Sequence, residues 1–361
     1  MMNQHRIEQL IKSMEQEHLP QLLLCDPHTI AYLTDDFIDP GERFLGLLLR
    51  HRQPPILFLN RLFTAPHIPA EQIIYYDDTQ RGAVLAASFT DPTVPLGVDK
   101  NLRAEFLLEL QEQNAASCYR NGSPAADRVR ACKDEEETAR MRLASQLNDQ
   151  AMERLKDEVR LGVSEIDLAQ RLLEIYRELG ADGPSFPPIV SFGANAADPH
   201  HEPDQTQVTP GDCVLFDIGC KKDGYCADMT RTYFFGKVRE EDRTIYELVR
   251  QSNLAGEAAV VPGVRFCDID RAARQVIEQG GYGPNFTHRL GHSIGREVHE
   301  WGDVSSVNTE PVRTGMVFSC EPGIYLPGKT GVRIEDLCLV TPDGVEVLNR
   351  VSKELEILPL K

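Results

Sequence analysis

The sequence lacks any long hydrophobic run. No apolar segment of the 361-residue chain approaches the roughly 18–20 residues that a membrane-spanning helix needs. The first segment, MMNQHRIEQLIKSMEQEH, is polar and has no apolar stretch of the kind found in a secretory signal peptide. Hydrophobic residues make up 41% and charged residues 26% of the chain, as in ordinary globular proteins. We therefore expect a cytoplasmic protein with no membrane partner.

Paired cysteines and an excess of basic residues are also lacking. The nine cysteines include no C-x-x-C pair, which favours reduced thiols over a disulfide scaffold. The chain has 38 Lys and Arg against 56 Asp and Glu, a net charge of -18. Because phosphate binding needs a basic surface, we expect no nucleic-acid partner. The acidity is explained more simply as a property that favours solubility.

A chain of 361 residues is longer than one compact core usually organises, so we expect two domains. In the first third, a helical pattern covers Arg103–Asn114, and a turn follows at Asn121–Pro124. Short apolar runs bounded by Pro, Asp or Asn predict strands at Leu22–Cys25, Phe44–Leu49, Ile56–Leu59, Ile73–Tyr76 and Val94–Val98. This pattern indicates a small α/β domain over residues 1–126.

The remainder, residues 127–361, mixes long helical patterns with strands rich in Gly, Pro and His. Asp134 is a predicted N-cap, because an acidic first turn and apolar positions at helical spacing follow it. Ser164 and Asp167 form a capping-box pattern at the start of a second helix, Ser164–Leu179. Further helices are predicted at Glu241–Val260 and Cys267–Gln279.

Two apolar strands that flank Lys221-Lys222-Asp223-Gly224 contain one aspartate each, Asp217 and Asp228. If the turn is centred between Lys222 and Asp223, Asp217 lies directly opposite Asp228 on one face of the hairpin. Two like charges so placed repel each other, and a cation between them would remove the conflict. Asp217 also interrupts an apolar run, and a buried carboxylate needs a partner. A bulge would change this register.

Three later segments contain further ligand-type residues. Thr287–Glu300 contains three histidines between glycines that allow close approach of the backbone. Glu321 follows the apolar strand Met316–Phe318. In Gly331–Asp336, strand alternation places Arg333 and Glu335 on one face.

Taken together and in this order, these motifs resemble those of the pita-bread metallopeptidases, the family of methionine aminopeptidase, aminopeptidase P and prolidase. The resemblance covers the chain from about Arg130 to its end, and Pro199-His200-His201 is similar to the family's first histidine motif. The N-terminal segment resembles, more loosely, the creatinase-type domain of the proline-specific branch, through Asp26-Pro27 and Ile30–Thr34. The resemblance implies an α+β protein with a small creatinase-type α/β domain before a pita-bread catalytic domain.

The resemblance also implies a two-metal peptidase. It places five metal ligands on Asp217, Asp228, His292, Glu321 and Glu335. Such a site suits Mn²⁺ first, with Co²⁺, Zn²⁺ or Fe²⁺ as alternatives, and implies hydrolysis by a hydroxide that bridges two metal ions. Glu321 would also shuttle the proton, while the other catalytic residues would be His200, His299, His288 and Arg333.

The roles of these residues follow from the same resemblance. His200 and His299 would bind substrate and stabilise the tetrahedral intermediate, and His288 would shape the substrate pocket. Arg333, which shares a face with Glu335, would orient that ligand or hold substrate. His201, which follows His200, is expected to have no catalytic role.

Two residues are assigned to substrate binding. Arg296 could hold the C-terminal carboxylate of a dipeptide in a guanidinium fork, and a solvated surface arginine is the alternative. Tyr225 could lie beside the substrate, and buried strand packing is the alternative.

The resemblance implies a homodimer that acts on proline-containing dipeptides or short peptides. Hydrolysis of Xaa-Pro dipeptides is favoured because the N-terminal domain is short. Aminopeptidase P activity is the main alternative, and a non-catalytic peptide-binding protein on the same fold is a distant one, because all five ligands are present.

Overall fold

The computed structural model describes residues 2–361. The chain divides into two compact units, Met1–Arg130 and Ala131–Lys361. None of the helices within residues 2–361 combines the length and the apolar composition that crossing a bilayer requires.

The first unit is built on one six-stranded mixed sheet with the strand order β4-β3-β2-β1-β5-β6. Its strands are β1 Gln21–Leu24, β2 Gly46–Arg50, β3 Gln53–Asn60, β4 Ile73–Tyr76, β5 Leu96–Val98 and β6 Tyr119–Asn121. Its helices are α1 Gln4–Gln16, α2 Pro27–Thr34, α3 Gly82–Ala87, α4 Ala104–Glu112 and α5 Ser123–Ala131. The five predicted strands are present, with ends that shift by at most three residues.

Both faces of this sheet are covered, which explains its uninterrupted apolar strands. Leu22 and Leu24 of β1 point into one hydrophobic cluster, while Leu23 points into another on the opposite face. Alternate residues of a strand face opposite sides, so a strand buried on both sides must be apolar at every position. The Leu-Leu-Leu run is therefore a consequence of the α/β layering.

The second unit has four long helices, α6 Glu135–Asp157, α7 Glu165–Leu179, α8 Glu240–Ala258 and α9 Phe266–Gln279. Its strands up to α8 are β7 Gly183–Pro184, β8 Ile189–Phe192, β9 Cys213–Ile218, β10 Cys220–Lys222, β11 Tyr225–Cys226 and β12 Met229–Phe235. The later strands are β13 Gly291–Ser293, β14 Glu300–Val304, β15 Val317–Cys320, β16 Gly323–Leu326, β17 Thr330–Arg333, β18 Asp336–Thr341, β19 Gly344–Val347 and β20 Ile357–Leu358.

These strands form four sheets, with the orders β20-β12-β9-β8, β14-β13-β15-β18-β19, β11-β10-β7 and β16-β17. β9 shows how the sheets are buried between layers. Its even positions, such as Val214 and Phe216, belong to one core cluster, while Cys213 and Leu215 belong to another. Asp217 falls on the face of Cys213 and Leu215, so its carboxylate enters the interior of the unit.

The hairpin that carries Asp217 and Asp228 differs in register from the prediction. β9 pairs antiparallel with β12 so that Asp217 lies opposite Thr230. The predicted pairing of Asp217 with Asp228 is therefore wrong by two residues. Because side chains alternate with a period of two, this shift preserves the face, and both carboxylates still line one cavity.

The turn explains the shift. Lys222 pairs with Tyr225, so the two central residues of the turn are Asp223 and Gly224. Their φ angles are 49° and 77°, as the favoured two-residue hairpin turns require. The predicted turn was centred one residue too early, because it ignored this preference for Asp-Gly at the central positions.

The predicted N-cap Asp134 and the predicted capping box of Ser164 and Asp167 are both confirmed, and Asp134 also forms a capping box. The Asp134 side chain accepts from the backbone N–H of Glu137, whose own side chain accepts from the N–H of Asp134. Ser164 and Asp167 make the same reciprocal pair at the start of α7. Each box satisfies two backbone donors that a helix start leaves without partners.

Replacing Asp134 by Ala should destabilise the second unit by about 1 kcal/mol, since that is the usual cost of losing an N-cap. The only tryptophan of the sequence, Trp301, lies in this unit, so urea unfolding followed by its fluorescence reports on α6. Asp157→Ala, at the exposed other end of the same helix, is the control and should change the midpoint little. Equal midpoints for the two variants would contradict the capping assignment.

Candidate metal centre

The second unit contains a cavity of about 530 Å³, a usual size for a small-molecule site. One part of its wall is apolar and the other carries titratable groups. Its lining comprises Phe186, Pro187, Pro188, Ile189, Pro199, His200, His201, Glu202, Pro203, Asp217, Asp228, His288, Arg289, His292, Val298, His299, Glu321, Arg333 and Glu335. All five predicted metal ligands and all of the predicted catalytic residues lie among them.

Glu335 enters the cavity from the short connection between β17 and β18. Its backbone N–H donates to the carbonyl of Thr230 at 3.1 Å, and its Oε2 accepts from the Thr230 hydroxyl at 2.7 Å. Thr230 is the residue opposite Asp217 in the hairpin. The hairpin therefore fixes both the backbone and the side chain of Glu335 beside Asp217.

His292 lies on β13 with its Nε2 directed at two carboxylates. This atom is 3.7 Å from Asp228 Oδ2 and 3.5 Å from Glu321 Oε1. The Ser319 hydroxyl accepts from the His292 N–H at 3.0 Å and donates to Glu321 Oε1 at 3.0 Å. A Cβ on Gly291 would lie 1.9 Å from the Ser319 carbonyl oxygen, so only glycine permits this approach.

Arg333 is the buried cation of the site. Its Nη2 donates to Asp217 Oδ2 at 2.7 Å, its Nε to the Thr230 hydroxyl at 3.1 Å and its Nη1 to the Tyr325 hydroxyl at 2.9 Å. The predicted role of orienting Glu335 is indirect, because both residues meet at the Thr230 hydroxyl.

The carboxylates are too close together to remain ionised alone. Burial, followed by the charge of Glu335, raises the pKa of Asp228 well above its usual range. Burial and the charge of Glu321 do the same to the pKa of Glu335, and burial raises the pKa of Glu321 to about 7. When ionised, the four carboxylates of the predicted ligand set and Arg333 sum to three formal negative charges (four minus one), and the cavity lining also contains Glu202 and Arg289.

Divalent cations fit this donor set. Asp217 Oδ1 and Asp228 Oδ1 are buried, and neither has a hydrogen-bond partner among residues 2–361. One ligand atom each from Asp228, His292 and Glu335 lies within 4.8 Å of the others. Burial, reinforced by the charge of His299, lowers the pKa of His292 to about 3, which keeps the imidazole in the neutral form that binds metals. Oxygen-rich sites of this kind suit hard or borderline divalent ions.

The remaining histidines surround this cluster. The rings of His299 and His292 are 4.2 Å apart, and His288 Nε2 is 2.8 Å from the Tyr325 hydroxyl. Burial lowers the pKa of His288 to about 4, so its ring is neutral near pH 7. The His200 residue is exposed at the cavity wall. The loop with His299 is fixed by the next residue, Glu300, which pairs with buried Lys133 at 2.9 Å.

Tyr225 and Arg296 are not brought into the cavity. The Tyr225 hydroxyl donates to Glu137 at 2.9 Å, and the ring is buried in a separate hydrophobic cluster. The Arg296 guanidinium lies over the Tyr225 ring, 5.3 Å from its centroid, and beside Gly224. For Tyr225 the geometry favours the alternative of strand packing. Arg296 is buried, so it is neither at the cavity nor the solvated surface arginine that was the alternative.

Three contributors to the site, Ser319, Tyr325 and Arg289, were not predicted from the sequence. Ser319 and Tyr325 act through hydrogen bonds to residues distant in sequence, which no local pattern reveals. Arg289 follows His288 within the histidine-rich segment, so its position next to a predicted site residue was a usable signal.

Comparisons with known proteins agree with this site. The model of metallopeptidase family M24 matches residues 139–342, and that of the creatinase/prolidase N-terminal domain matches residues 6–132. An uncharacterized peptidase of Staphylococcus epidermidis is 34% identical over 352 residues, which are 96% of this chain and 99% of the relative.

Two solved structures show the same architecture at 30% identity. A dipeptidase from Pyrococcus horikoshii OT3 has a TM-score of 0.92 and covers 98% of this chain and 100% of its own. A prolidase from Thermococcus sibiricus also has a TM-score of 0.92 and covers 99% of this chain and 100% of its own.

The fold and the carboxylate cluster define a peptidase whose catalytic domain depends on metal ions. More particularly, this chain belongs to metallopeptidase family M24, with a creatinase-type N-terminal domain before the pita-bread domain. The resemblance and the fold class predicted from the sequence are thereby confirmed.

Metal binding to the purified apoprotein should release protons. Asp228 and Glu335 hold protons in the metal-free site because their pKa values are raised, and Glu321, with a pKa of about 7, is partly protonated. A cation needs the ionised forms, so apparent affinity should rise as the pH increases from about 6 to 8. Titration calorimetry with Mn²⁺ in two buffers of different ionisation enthalpy measures the proton count. A heat of Mn²⁺ binding that is the same in both buffers would contradict this protonation state. Glu335→Ala is the control and should not bind the metal.

Proposed function

We propose that this chain hydrolyses Xaa-Pro dipeptides. The observation that carries the proposal is a cavity whose lining combines the carboxylate cluster, an apolar stretch and Arg289, whose guanidinium makes no hydrogen bond or ion pair among residues 2–361. The proposal is further supported by two structures of 30% identity described as a dipeptidase and a prolidase.

Asp217, Asp228, His292, Glu321 and Glu335 would hold two divalent cations, since two such ions offset the three excess negative charges of the cluster. We propose Mn²⁺ as the metal, because four carboxylates and one imidazole form an oxygen-rich site. Bound in pairs, such ions lower the pKa of water and polarise a carbonyl group.

Glu321 is suited to move a proton. Its carboxyl has a pKa of about 7 in the metal-free site, where burial raises the value and Arg333 opposes the rise. The Ser319 hydroxyl holds its Oε1 in place. A carboxylate held in one place beside the substrate can accept a proton during attack on the peptide and return it to the leaving nitrogen.

His200 and His299 would bind the scissile peptide. Both line the cavity beside the cluster, and burial lowers the pKa of His299, so that its ring is neutral. A neutral imidazole can donate one hydrogen bond to a carbonyl oxygen where negative charge develops. His288 is fixed by the Tyr325 hydroxyl and would shape the adjacent pocket.

The apolar wall fits a proline ring. Phe186, Pro187, Pro188 and Ile189 form a continuous stretch of it, and Val298 also lines the cavity. Burying a pyrrolidine ring against such a surface is favourable and leaves no N–H unsatisfied, because the proline nitrogen of a peptide bond carries no hydrogen.

Arg289 supplies a receptor for a free carboxylate. Its guanidinium lines the cavity and has no hydrogen bond or ion pair within residues 2–361, whereas the Arg333 guanidinium is already bound to Asp217 and Tyr325. An arginine fork binds a carboxylate in two parallel hydrogen bonds. We therefore transfer to Arg289 the role that the sequence analysis gave to Arg296.

Purified protein supplied with Mn²⁺ should cleave Ala-Pro and Leu-Pro more efficiently than Ala-Pro-Ala, because only the dipeptide places a carboxylate directly after proline. The measurement is kcat/KM by release of free proline or of the N-terminal residue. A preference for the tripeptide would indicate the aminopeptidase P alternative. Cleavage of Met-Ala peptides without a need for proline would contradict both, and no hydrolysis with any metal would indicate a binding protein.

Arg289→Ala should raise KM for Ala-Pro about tenfold, since a charge-assisted hydrogen bond contributes about 1.5–3 kcal/mol and this one is partly exposed to solvent. Ala-Pro amide, which has no carboxylate, should be bound equally weakly by the wild-type protein and the variant. Arg271→Ala, an exposed arginine on α9, is the matched control and should behave as wild type. A tenfold loss that is the same for acid and amide would refute carboxylate recognition.

A further inference from the structure

One buried carboxylate, that of Glu165, organises the segment that carries His200. Glu165 is the first residue of α7 and is 0% exposed to solvent. Glu165 is not one of the predicted site residues, and it does not line the cavity. A buried charge without partners is costly, so its surroundings indicate what the charge is retained for.

Four hydrogen bonds converge on this carboxylate. Oε1 accepts from the Phe192 N–H at 2.7 Å and from Asn195 Nδ2 at 3.0 Å. Oε2 is 2.7 Å from His201 Nε2 and accepts from the Asp204 N–H at 3.2 Å. Because an ionised carboxylate can only accept, His201 Nε2 is the donor.

Two of the donors, His201 and Asp204, lie in an irregular segment, while Phe192 ends β8 and Asn195 lies in the 3-10 helix. After the 3-10 helix Gly193–Ala197, residues 198–212 form no helix and no strand longer than an isolated bridge. Residues Pro199–Pro203 nevertheless form a continuous part of the cavity wall. The backbone N–H groups of Glu165 and Ile166 donate to the carbonyls of Thr206 and Asp204 and hold the later part of the segment. Within residues 2–361, the part that carries His200 has no such bond to α7, so there the side-chain bonds contribute most.

We propose that Glu165 and His201 are positioning residues that act through His200. The Glu165–His201 bond fixes the residue after His200, and the Asp204 bond fixes the segment four residues further on. The imidazole of His200 is thereby directed to one place at the cavity wall. His201 also lines the cavity, but its Nε2 is engaged by Glu165, so the absence of a direct catalytic role for His201 stays a prediction.

Glu165, His201 and Asp204 are close enough to share a cation. The hydrogen bonds among these residues explain why they lie close together, so no cation is required. All four donors already occupy the Glu165 carboxylate, and the Asp204 carboxylate accepts from the Thr206 N–H at 2.7 Å.

A double-mutant cycle tests whether the anchoring by His201 affects catalysis through His200. This experiment rests on the proposed peptidase function. His200→Ala, His201→Ala and the double variant are assayed on the dipeptide that the wild-type protein cleaves best. His201→Ala should lower kcat/KM about tenfold, and the double variant should be no worse than His200→Ala, because residues that act as a unit are non-additive. If the losses in kcat/KM of the two single variants multiply in the double variant, the proposal is overturned.

A variant that restores the hydrogen-bond donor at position 201 distinguishes a loss of positioning from a general loss of structure. His201→Gln retains an N–H donor close to the position of Nε2 and should recover most of the activity that His201→Ala loses. His51→Ala is the control. Its ring contacts the Leu19 carbonyl in the first unit, and activity should not change. Equal losses for His201→Gln and His201→Ala would refute a role that depends on this hydrogen bond.

Hydrogen exchange provides a readout that does not need activity. Amides of residues 193–204 should exchange faster in His201→Ala and in Glu165→Gln than in the wild-type protein, while α8 and α9 keep their protection and the metal content stays the same. Unchanged exchange would overturn the anchoring whatever the kinetics show. Faster exchange in a protein that cleaves no Xaa-Pro peptide would instead refute the proposed function and leave the anchoring supported.

Discussion

Four carboxylates are buried around one cavity, and a single buried arginine offsets only part of their charge. Like charges at this separation repel strongly in a medium from which water is largely excluded. Burial and mutual repulsion therefore raise the pKa of Asp228 and of Glu335, and two of the carboxylate oxygens have no hydrogen-bond partner among residues 2–361. The second unit holds these carboxylates in a fixed geometry, and the proposed divalent cations would offset their charge.

The surrounding hydrogen bonds hold the proposed ligands in place in the metal-free site. The Thr230 hydroxyl joins Glu335 to Arg333, and the Ser319 hydroxyl joins His292 to Glu321. Each of these hydroxyls both donates and accepts, so it links two groups that would otherwise be independent. Outer partners of this kind fix the orientation of ligands and thereby the affinity of a metal site.

The local features of the fold were predictable from sequence because they depend on neighbouring residues. Apolar runs predicted the strands of the first unit, the N-cap Asp134 predicted the start of α6, and the Ser164 capping box predicted the start of α7, with errors of a few residues. The register of the β9–β12 hairpin was predicted wrongly. The error came from the turn, since Asp223 and Gly224 both adopt positive φ and thereby move every pair by two residues.

The sequence by itself determined which residues could form a metal site, because ligand-type side chains at these spacings resemble one metallopeptidase family. Only the tertiary structure decided which of them share a cavity. It brought the five proposed ligands together, placed Tyr225 and Arg296 outside the cavity, and exposed Arg289 within it. It also revealed that Glu165, 35 residues before His200 in the chain (200 minus 165), anchors the segment that carries it. The physical reason is that burial, pKa and hydrogen bonding at a site depend on contacts between strands and loops distant in sequence, which no local pattern encodes.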